Sequence, residues 1–476
     1  MLTPPGASSH ARNAGGVASK LLFRTLDPDP AARLARGEAF HMDLDTGATA
    51  WMLMSASLVL LMTPGLAFFY GGMVRGKSVL NMMMMSFISI AVVVVVYVFW
   101  GWSMSYGSDV GGLFGNPFDQ FGLAGTIWDD SGEFLLDAYG VPVVVGVAFQ
   151  VTFAIITVAL ISGAIADRVK FGTWVAFTAL WATVSYFPLA HMVWGGGQLS
   201  GAENGVAALL FGTTDGAATV APIDFAGGTV VHINAGIAGL VLALIIGKRK
   251  GFGKEPMRPH NLPFVMLGAA LLWFGWFGFN AGSAFTADGN AGLAWVNTTA
   301  ATAAAVIGWL VTEKFRDGHA TSLGAASGVV AGLVAITPAA GTLRPVTSII
   351  LGVVAGVLCA LAVGLKYRFG YDDSLDVVGV HLVGGLVGTI GIGFLAADTG
   401  LFFGGGAKQL VVQTVIALLA LVFSGLVTLV IGLILKATMG WRVSEEAEVG
   451  GIDLAVHGET AYETLGGARV VTEVKA

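Results

Sequence analysis

Between Lys77 and Asp109 the sequence reads SVLNMMMMSFISIAVVVVVYVFWGWSMSYGS, and no charged side chain interrupts these residues, 78–108. A helix needs about 20 apolar residues to cross the hydrocarbon core of a bilayer, and this run is long enough for one crossing. The part from Ala91 to Tyr97 has no alternation of apolar and polar residues, which excludes a strand of a transmembrane β-barrel. The run therefore predicts a membrane-spanning helix.

The same signal recurs along the whole chain, which has 476 residues, 55% of them hydrophobic and 11% charged. In an ordinary soluble domain roughly a quarter of the residues are charged, so this composition excludes a soluble enzyme. Eleven charge-free intervals of at least 21 residues leave no room for a separate soluble domain, and they predict an all-α membrane protein with 11 transmembrane helices. The intervals are 46–74, 78–108, 138–166, 171–202, 225–247, 259–287, 289–312, 318–343, 345–365, 377–397 and 409–435.

Lysine and arginine are distributed unevenly between the loops that join these helices. Loops after the odd-numbered helices hold thirteen of them, whereas loops after the even-numbered helices hold only Arg344 and Lys408. Loops 107–140 and 195–224 carry nine acidic residues and neither lysine nor arginine. Because positive charge is retained on the cytoplasmic side, we predict that the amino end lies outside and the carboxyl end inside.

The chain divides into three parts on these criteria. Residues 1–41 are basic but lack the apolar core of a signal peptide, so they are left as an unassigned amino-terminal arm. Translation or maturation is hypothesised to begin near Met42. Residues 42–440 form the membrane domain, and residues 441–476 form a cytoplasmic regulatory tail.

Two of the apolar intervals share the motif Val-His-x-x-x-Gly-x-x-Gly. It occurs at His232 and again at His381, 149 residues and five crossings later. An odd number of crossings turns the second half upside down, which predicts a five-plus-five inverted repeat with one extra helix. The two glycines of each motif lie on one helix face and permit close helix approach. Histidines at matched depth in a bilayer favour a pore-lining role over simple packing.

Aromatic residues form a second pattern in the third and sixth helices. Phe149 and Phe153 are spaced i, i+4, and Trp276, Phe279 and Ser283 are spaced i, i+3, i+7, which predicts one stripe on each helix. The alternative is a chance pairing on a packing or lipid-facing surface of a protein with 29 phenylalanines.

The fourth helix adds two aromatic residues, Tyr186 and Trp194, at its outer end, where aromatic belts are also expected. Such a cluster, with one hydroxyl and no fixed positive charge, attracts a small cation to its ring faces by about 2 kcal/mol or more per desolvated contact. A deeper pore of apolar side chains and two neutral imidazoles excludes the bare ion, because its burial costs tens of kcal/mol. A neutral amine or a shuttled proton can pass.

Five sequence blocks resemble the ammonium transporters of the Amt/Mep/Rh superfamily, in the bacterial Amt branch, and the resemblance covers residues 42–465. The blocks are MTPGLAFFYGG (62–72), AHMVWGGG (190–197), DFAGGTVVHINAG (224–236), WFGFNAGSA (276–284) and ITPAAG (336–341). The resemblance implies a multi-pass homotrimer of the bacterial plasma membrane. It implies one pore per subunit, which moves ammonium into the cytoplasm as ammonia plus a proton or as net ammonium, with methylammonium as an alternative substrate.

The resemblance also implies a role for each candidate residue. The external recruitment site would be Phe149, Phe153, Tyr186, Trp194 and Ser283, and the phenyl gate would be Phe153 and Phe279. The pore would be lined by His232, His381 and Trp276. Asp224 would be a capping residue of a charge network that shapes the recruitment site without binding the ion.

The sequence departs from the family pattern at His319-Ala320, where many members have Lys-Pro, and at Met85, where a glutamine is common. A PII-type signalling protein is expected at the cytoplasmic face, and the first departure bears on that partner. An ammonium sensor that acts through such a partner is the alternative function. The only cysteine is Cys359, and hydrolase and metal motifs are not found in the sequence, so we expect neither an enzyme nor a cofactor, and no nucleic-acid partner.

The tail is acidic, with seven acids and three bases over 441–476, which argues against a membrane-binding basic patch. Ile452, Leu454 and Val456 alternate with polar or small residues and predict apolar anchors, whereas a solvated, disordered tail would not need them. Gly450-Gly451 predicts a hinge, and the tail resembles the family segment that packs under a neighbouring subunit and supports gating.

Overall fold

The structure is a computed structural model, and it describes residues 43–255 and 257–462. The hypothesis about the arm 1–41 and a start near Met42 lies outside the described residues, as does the last part of the tail, 463–476.

Long helical segments lie at the positions of the predicted intervals in the described part of the chain. Ten of them are long and apolar enough to cross a membrane, among the residues that the structure describes. They are α1 (Thr46–Met73), α2 (Val79–Tyr106), α3 (Val143–Ile165), α5 (Gly228–Ile246), α6 (Leu262–Ala284), α7 (Gly289–Asp317), α8 (Ser322–Ala339), α9 (Pro345–Phe369), α10 (Val378–Leu395) and α11 (Lys408–Thr438).

The remaining segment, α4, is a continuous helix over residues 171–194. It is not among these ten, and its second half contains Tyr186, Pro188 and His191. Short elements occupy the loops. A hairpin of β1 (Asp109–Val110) and β2 (Phe114–Gly115) follows α2, a helix (Val206–Phe211) follows α4, and a second hairpin pairs β3 (Thr213–Thr214) with β4 (Ala217–Ala218). The end of α2 with the first hairpin is called the hairpin side of the bundle.

Five of the long helices contain a π-helical segment, in which the chain winds more widely than in an α-helix. The segments are Tyr97–Gly101, Ala182–Tyr186, Gly228–Ile233, Phe277–Ala281 and Val378–Leu382. Such segments are rare and are frequent at functional sites. Four of the predicted site residues lie in them: Tyr186, His232, Phe279 and His381.

The predicted close approach of the two histidine helices is confirmed. A Cβ added to Gly236 of α5 would lie 2.5 Å from the backbone nitrogen of Leu382 in α10. A Cβ added to Gly385 of α10 would lie 3.0 Å from Cβ of His232. Glycine at these two positions therefore lets α5 and α10 touch through their backbones, which brings the histidines together.

The tail folds back against the other side of the bundle, which is called the tail side. It contains a helix (Glu445–Gly450) and a π-helical turn (Asp453–His457). The Asp453 carboxylate accepts hydrogen bonds from the backbone nitrogens of Leu80 (3.0 Å) and Asn81 (2.8 Å), which are unpaired donors at the start of α2. The described part of the tail is thus ordered against its own chain.

The prediction of three apolar anchors in the tail is correct only for Ile452, which is fully buried. Leu454 and Val456 are 61% and 41% exposed, so the prediction is wrong for them within this chain. The physical reason is that the segment is helical and not extended, and residues two apart in a helix lie on different faces.

Candidate functional site

A stack of aromatic rings lies between α3, α4 and α6, where the sequence predicted it. The rings of Phe153 and Phe279 are stacked with centroids 4.1 Å apart. Phe149 meets Phe153 edge to face at 4.8 Å, and Trp194 does so at 6.1 Å. The three phenyl rings are buried, so Phe153 and Phe279 together close the space beneath Trp194.

The two histidines lie directly below this stack, towards the tail side. The His232 ring stacks between Phe279, at 6.2 Å, and His381, at 5.4 Å, and Trp276 stacks on it at 5.6 Å. Nδ1 of His381 is 3.4 Å from Nδ1 of His232. Because each neutral imidazole has one N–H, one ring donates in this pair and the other accepts. Their two Nε2 atoms therefore have opposite characters, one an acceptor and the other a donor.

A small cavity of about 10 Å³ adjoins the histidines and holds about one water-sized molecule. Apart from the two imidazoles its lining is apolar or aromatic, and Nε2 of His232 is buried without a hydrogen-bond partner. Its lining includes Met62, Leu66, Phe69, Leu160, Trp276, Phe279 and Val330. A buried polar atom of this kind normally has a partner, which marks the cavity as a place for a small polar molecule.

A second cavity of similar volume continues towards the tail side, and it shares Phe69, Val330 and His381 with the first. Asp376 lies at its far end, where its carboxylate accepts a hydrogen bond from Lys366 Nζ at 2.7 Å. The two cavities thus lie in series, from the phenyl pair past the histidines to a partly exposed ion pair.

Asp224 holds the start of the π-helical segment that carries His232. Its Oδ1 accepts from the backbone nitrogens of Gly227 (2.8 Å) and Gly228 (2.5 Å), and its Oδ2 accepts from those of Thr229 (2.8 Å) and Val230 (3.3 Å). These donors would otherwise be unpaired at the helix start. The backbone oxygen of Asp224 accepts from Nε1 of Trp194 at 2.9 Å, so one residue ties the aromatic site to the histidine helix.

Asp373 lies before α10 as Asp224 lies before α5. The sequence analysis did not identify it. It precedes His381 by eight residues, as Asp224 precedes His232, and that equal spacing was the available signal. Its carboxylate accepts from the backbone nitrogens of Val377 (3.1 Å) and Val378 (2.8 Å). Burial, with a smaller contribution from the charge of Asp376, raises the pKa of Asp373 to about 6.

A buried cluster of charged residues, Asp372, Arg249 and Arg168, lies at the tail-side end of the pathway. Burial opposes ionisation of Asp372, but hydrogen bonds from Arg249 and the charge of Arg168 hold its pKa below the ordinary value. Arg249 donates to both carboxylate oxygens, with its Nη2 2.7 Å from Oδ1. The fully buried guanidinium of Arg168 also donates to the backbone oxygen of Asp372, at 2.7 Å. These groups fix the loop before α10.

Two predicted members of the aromatic site are placed differently from the others. Ser283 lies beyond the π-helical segment of α6, in a 3-10 turn, and its hydroxyl donates to the backbone oxygen of Phe279 at 2.8 Å. The predicted i, i+3, i+7 α-helical spacing is therefore wrong for this stretch, because α6 is not a regular α-helix there. The Tyr186 ring packs edge to face on Phe187, at 6.1 Å.

Two further residues belong to the site and were missed by the sequence analysis. The ring of Phe285 meets Phe149 edge to face at 5.6 Å and extends the aromatic stack towards the hairpin side. Thr337 accepts from Nε1 of Trp276 at 2.9 Å and fixes that indole beside His232. Thr337 lies in the ITPAAG block, so the block was available as a signal although the residue was not singled out.

The bundle and this pathway together define a class: a helical membrane transport protein with a narrow apolar route closed by aromatic rings. Residues 50–462 match the Ammonium Transporter Family. An ammonium transporter of Mycobacterium tuberculosis is 57% identical over 441 residues, which cover 88% of this chain and 91% of that protein. An ammonium transporter of Bacillus subtilis is 44% identical over 432 residues, covering 88% and 99% of the two chains.

Solved structures agree with these relatives. Mep2 of Candida albicans superimposes with a TM-score of 0.75 at 31% identity, covering 85% of this chain and 88% of that one. A structure named "Sensor Amt Protein" superimposes with the same TM-score, 0.75, at 28% identity, covering 86% and 98%. This chain belongs to the ammonium transporter family, a family of multi-pass membrane proteins.

Proposed function

We propose that this protein carries ammonium from the outer side of the cell membrane into the cytoplasm, through the pathway between the aromatic stack and Asp376. The observation that carries the proposal is the stacked pair of Phe153 and Phe279, with centroids 4.1 Å apart, immediately above the paired histidines and their one-molecule cavity. The names and identities of the relatives support ammonium as the substrate.

Recruitment is assigned to the outer face of the phenyl pair. The recruitment site comprises Phe149, Phe153, Tyr186, Trp194 and Ser283. Ring faces there attract a cation by about 2 kcal/mol or more per desolvated contact. The ring of Trp194 stands at 87° to that of Phe153, so the two rings present differently oriented faces at this site. A potassium ion is attracted too, so selectivity is assigned to the deeper pathway.

In the first proposed form of transport, ammonium gives its proton to water above the gate formed by Phe153 and Phe279, and neutral ammonia passes the gate. The bare ion does not fit an apolar cavity, because its burial costs tens of kcal/mol, whereas neutral ammonia is small and only polar. In the cavity, ammonia can donate to one histidine Nε2 and accept from the other. The proton crosses separately and recombines with ammonia in the cytoplasm, so the sum is one positive charge per ammonium, as it is for net ammonium transport.

The remaining parts of the proposal concern arrangement and partners. We assign eleven spans, with α4 as the fourth, in a five-plus-five inverted repeat with the amino end outside and the carboxyl end inside. The matched pairs His232 with Asp224 and His381 with Asp373 support the repeat. The proposal also includes a homotrimer with one pore per subunit and a PII-type partner at the tail side. It includes no enzymatic activity.

Sensing is the second candidate, and the likeness to the "Sensor Amt Protein" structure favours it. Here sensing would act through a cytoplasmic partner. Growth of an ammonium-uptake-deficient bacterium on low ammonium at low external pH tests the main proposal, because free ammonia is then scarce. Expression of this protein is expected to restore growth. A protein that is present in the membrane and does not restore growth would leave only the sensor alternative.

Trp194→Leu is expected to weaken the apparent affinity for ammonium several-fold and to leave the maximal rate largely intact. The substitution removes a cation–π face and the indole hydrogen bond to Asp224, while the gate and histidines remain. Concentration-dependent uptake measures both quantities. Trp128→Leu is the matched control, since Trp128 is 56% exposed and packs on Phe134. Unchanged uptake at low ammonium in Trp194→Leu would remove Trp194 from the recruitment site.

Deletion of residues 450–476 is expected to leave a membrane-inserted protein with lower transport and disturbed coupling between subunits. The deletion removes Asp453 and so leaves the start of α2 with two unpaired backbone donors. Uptake normalised to membrane abundance measures the effect. Wild-type uptake in the truncated protein would contradict a regulatory tail.

Gly451→Asp is expected to act like the deletion, and the backbone at Gly451 gives a structural reason in addition to the predicted hinge. Gly451 has φ of +131°, and a Cβ there would lie 3.0 Å from Cβ of Lys77. An aspartate is therefore strained and displaces the tail from the loop after α1. Gly450→Asp is the matched control because a Cβ at Gly450 meets open space. Equal uptake by the two variants would contradict this explanation.

A further inference from the structure

A third histidine, His191, lies three residues before Trp194 in α4 and is completely buried. Its Nδ1 is 3.2 Å from the backbone oxygen of Ser105 at the end of α2. Its Nε2 is 2.9 Å from Oδ1 of Asp109 in β1. Both partners are pure acceptors, whereas a neutral imidazole has only one N–H. With Asp109 ionised, a ring that donates in both contacts carries a hydrogen on each nitrogen.

The surroundings of the ring fit a cation that is neutralised by one partner. Asp109 belongs to the first hairpin and is the charged neighbour of the His191 ring. Its carboxylate also accepts from the backbone nitrogen of Gly112 at 2.8 Å. The end of α2 contributes the uncharged carbonyl of Ser105, and the turn after α4 contributes glycines. The pair therefore adds no net positive charge that would repel an ammonium ion from the aromatic stack nearby.

The turn Gly195-Gly196-Gly197 is packed directly on this ring. A Cβ at Gly195 would lie 2.7 Å from Nδ1 of His191, and a Cβ at Gly197 would lie 3.1 Å from its Cδ2. The backbone nitrogens of Gly195 and Gly197 donate to the backbone oxygen of His191, at 2.9 and 3.1 Å. The glycines are thus required by the position of the ring, and the ring fixes the end of α4.

We infer that His191 is a positioning residue, held as an imidazolium between Asp109 and Ser105, and that this clasp sets the place of Trp194 above Phe153. Trp194 is the next residue on the same helical face, and its distance to Phe153 depends on where α4 ends. This inference rests on the proposed function for its effect on ammonium recruitment. It adds an outer-loop carboxylate, Asp109, as the group that controls the charge of the ring.

Asp109→Asn tests the clasp without a change in the core, because the Asp109 side chain is 44% exposed. The apparent affinity for ammonium is expected to fall by about five- to tenfold, the size of one ordinary hydrogen bond, with the maximal rate retained, because the amide keeps an acceptor oxygen but loses the charge. Asp119→Asn is the matched control. It removes a carboxylate from the same loop that binds Ser108 and Asn116 and does not bind His191. An equal loss in both variants would reduce the effect to general loop charge and overturn the clasp.

A double-variant comparison distinguishes the clasp from simple packing. His191→Gln removes the ring that contacts both Ser105 and Asp109. Its apparent affinity for ammonium is expected to weaken as in Asp109→Asn, and Asp109→Asn is expected to have little further effect in the His191→Gln protein, because the two residues act through one contact. Losses that simply add in the double variant would contradict the inference.

The charge of the ring can also be measured without transport. Solid-state ¹⁵N spectra of histidine-labelled protein in liposomes, compared with spectra of His191→Gln, isolate the His191 signals. We expect the two similar shifts of a ring with a hydrogen on both nitrogens, because each nitrogen faces an acceptor. The separated shifts of a neutral tautomer would overturn the inference. Since this measurement needs no ammonium, its failure is distinct from failure of the proposed function, which a lack of ammonium current would reveal.

Discussion

His381→Glu is expected to let potassium pass, and His381→Ala is expected to remain far more selective. A carboxylate in the apolar pathway stabilises a desolvated cation, whereas the neutral imidazole pair and its cavity offer no such charge. The effect is expected to be large, because the carboxylate lowers the free energy of burying a bare ion, which otherwise costs tens of kcal/mol. Currents evoked by potassium and by ammonium pulses in liposomes measure the two selectivities.

Alanine is the matched control because it removes the imidazole without adding charge. It opens space beside His232 Nε2, so faster or slower ammonium passage is compatible with the account while potassium stays excluded. Strict ammonium selectivity in both His381→Glu and His381→Ala would count against the histidines as part of the filter.

Asp224→Ala is expected to abolish ammonium transport. The carboxylate accepts from four backbone nitrogens at the start of the π-helical segment, and each buried donor left unpaired costs about 1–3 kcal/mol. The segment that holds His232 would therefore shift or unfold locally, and Trp194 would lose its fixed acceptor. Ammonium uptake at matched membrane abundance measures the loss.

Two variants separate this capping role from a role of the charge in binding the ion. Asp224→Asn keeps one acceptor oxygen and is expected to retain part of the activity. Glu203→Ala removes a carboxylate from the same loop, where Glu203 is exposed, and is expected to transport normally. Full activity in Asp224→Ala would contradict the capping role.

The positions of the long helices could be read from the sequence because exclusion of charge over about 20 residues has one physical cause, the bilayer core. The pairing of His232 with His381 was also predictable. Their shared spacing to Gly236 and Gly385 encodes close contact of two helices, and the glycines meet the opposite helix as expected.

The π-helical segments could not be predicted from the sequence. Wider winding changes which residues share a helix face, but it does not interrupt a run that is apolar throughout. This is why the α-helical spacing assigned to Ser283 failed, although Trp276 and Phe279 do meet, at 5.2 Å. The prediction that Leu454 and Val456 are apolar anchors failed for a related reason. Their alternating pattern assumed an extended segment, whereas the segment is helical. Asp224 was predictable because it begins the DFAGGTVVHINAG block, whereas Asp373 lies outside all five blocks and only its spacing to His381 marks it.

The clasp of His191 shows a different limit. The AHMVWGGG block was visible in the sequence, but the acceptor that decides the charge of the ring, Asp109, lies 82 residues earlier in a loop. A contact across that separation follows from the tertiary structure and not from any local pattern. Only the geometry of both ring nitrogens indicates an imidazolium.

The most direct test of the account is the current evoked by ammonium pulses on the purified wild-type protein in liposomes on a solid-supported membrane. Both proposed forms of transport, ammonia with a separate proton and net ammonium, move one positive charge inwards. We therefore predict a transient current that saturates with ammonium and is absent with equal potassium. No ammonium current from folded protein, or an equal current with potassium, would contradict the proposed pathway.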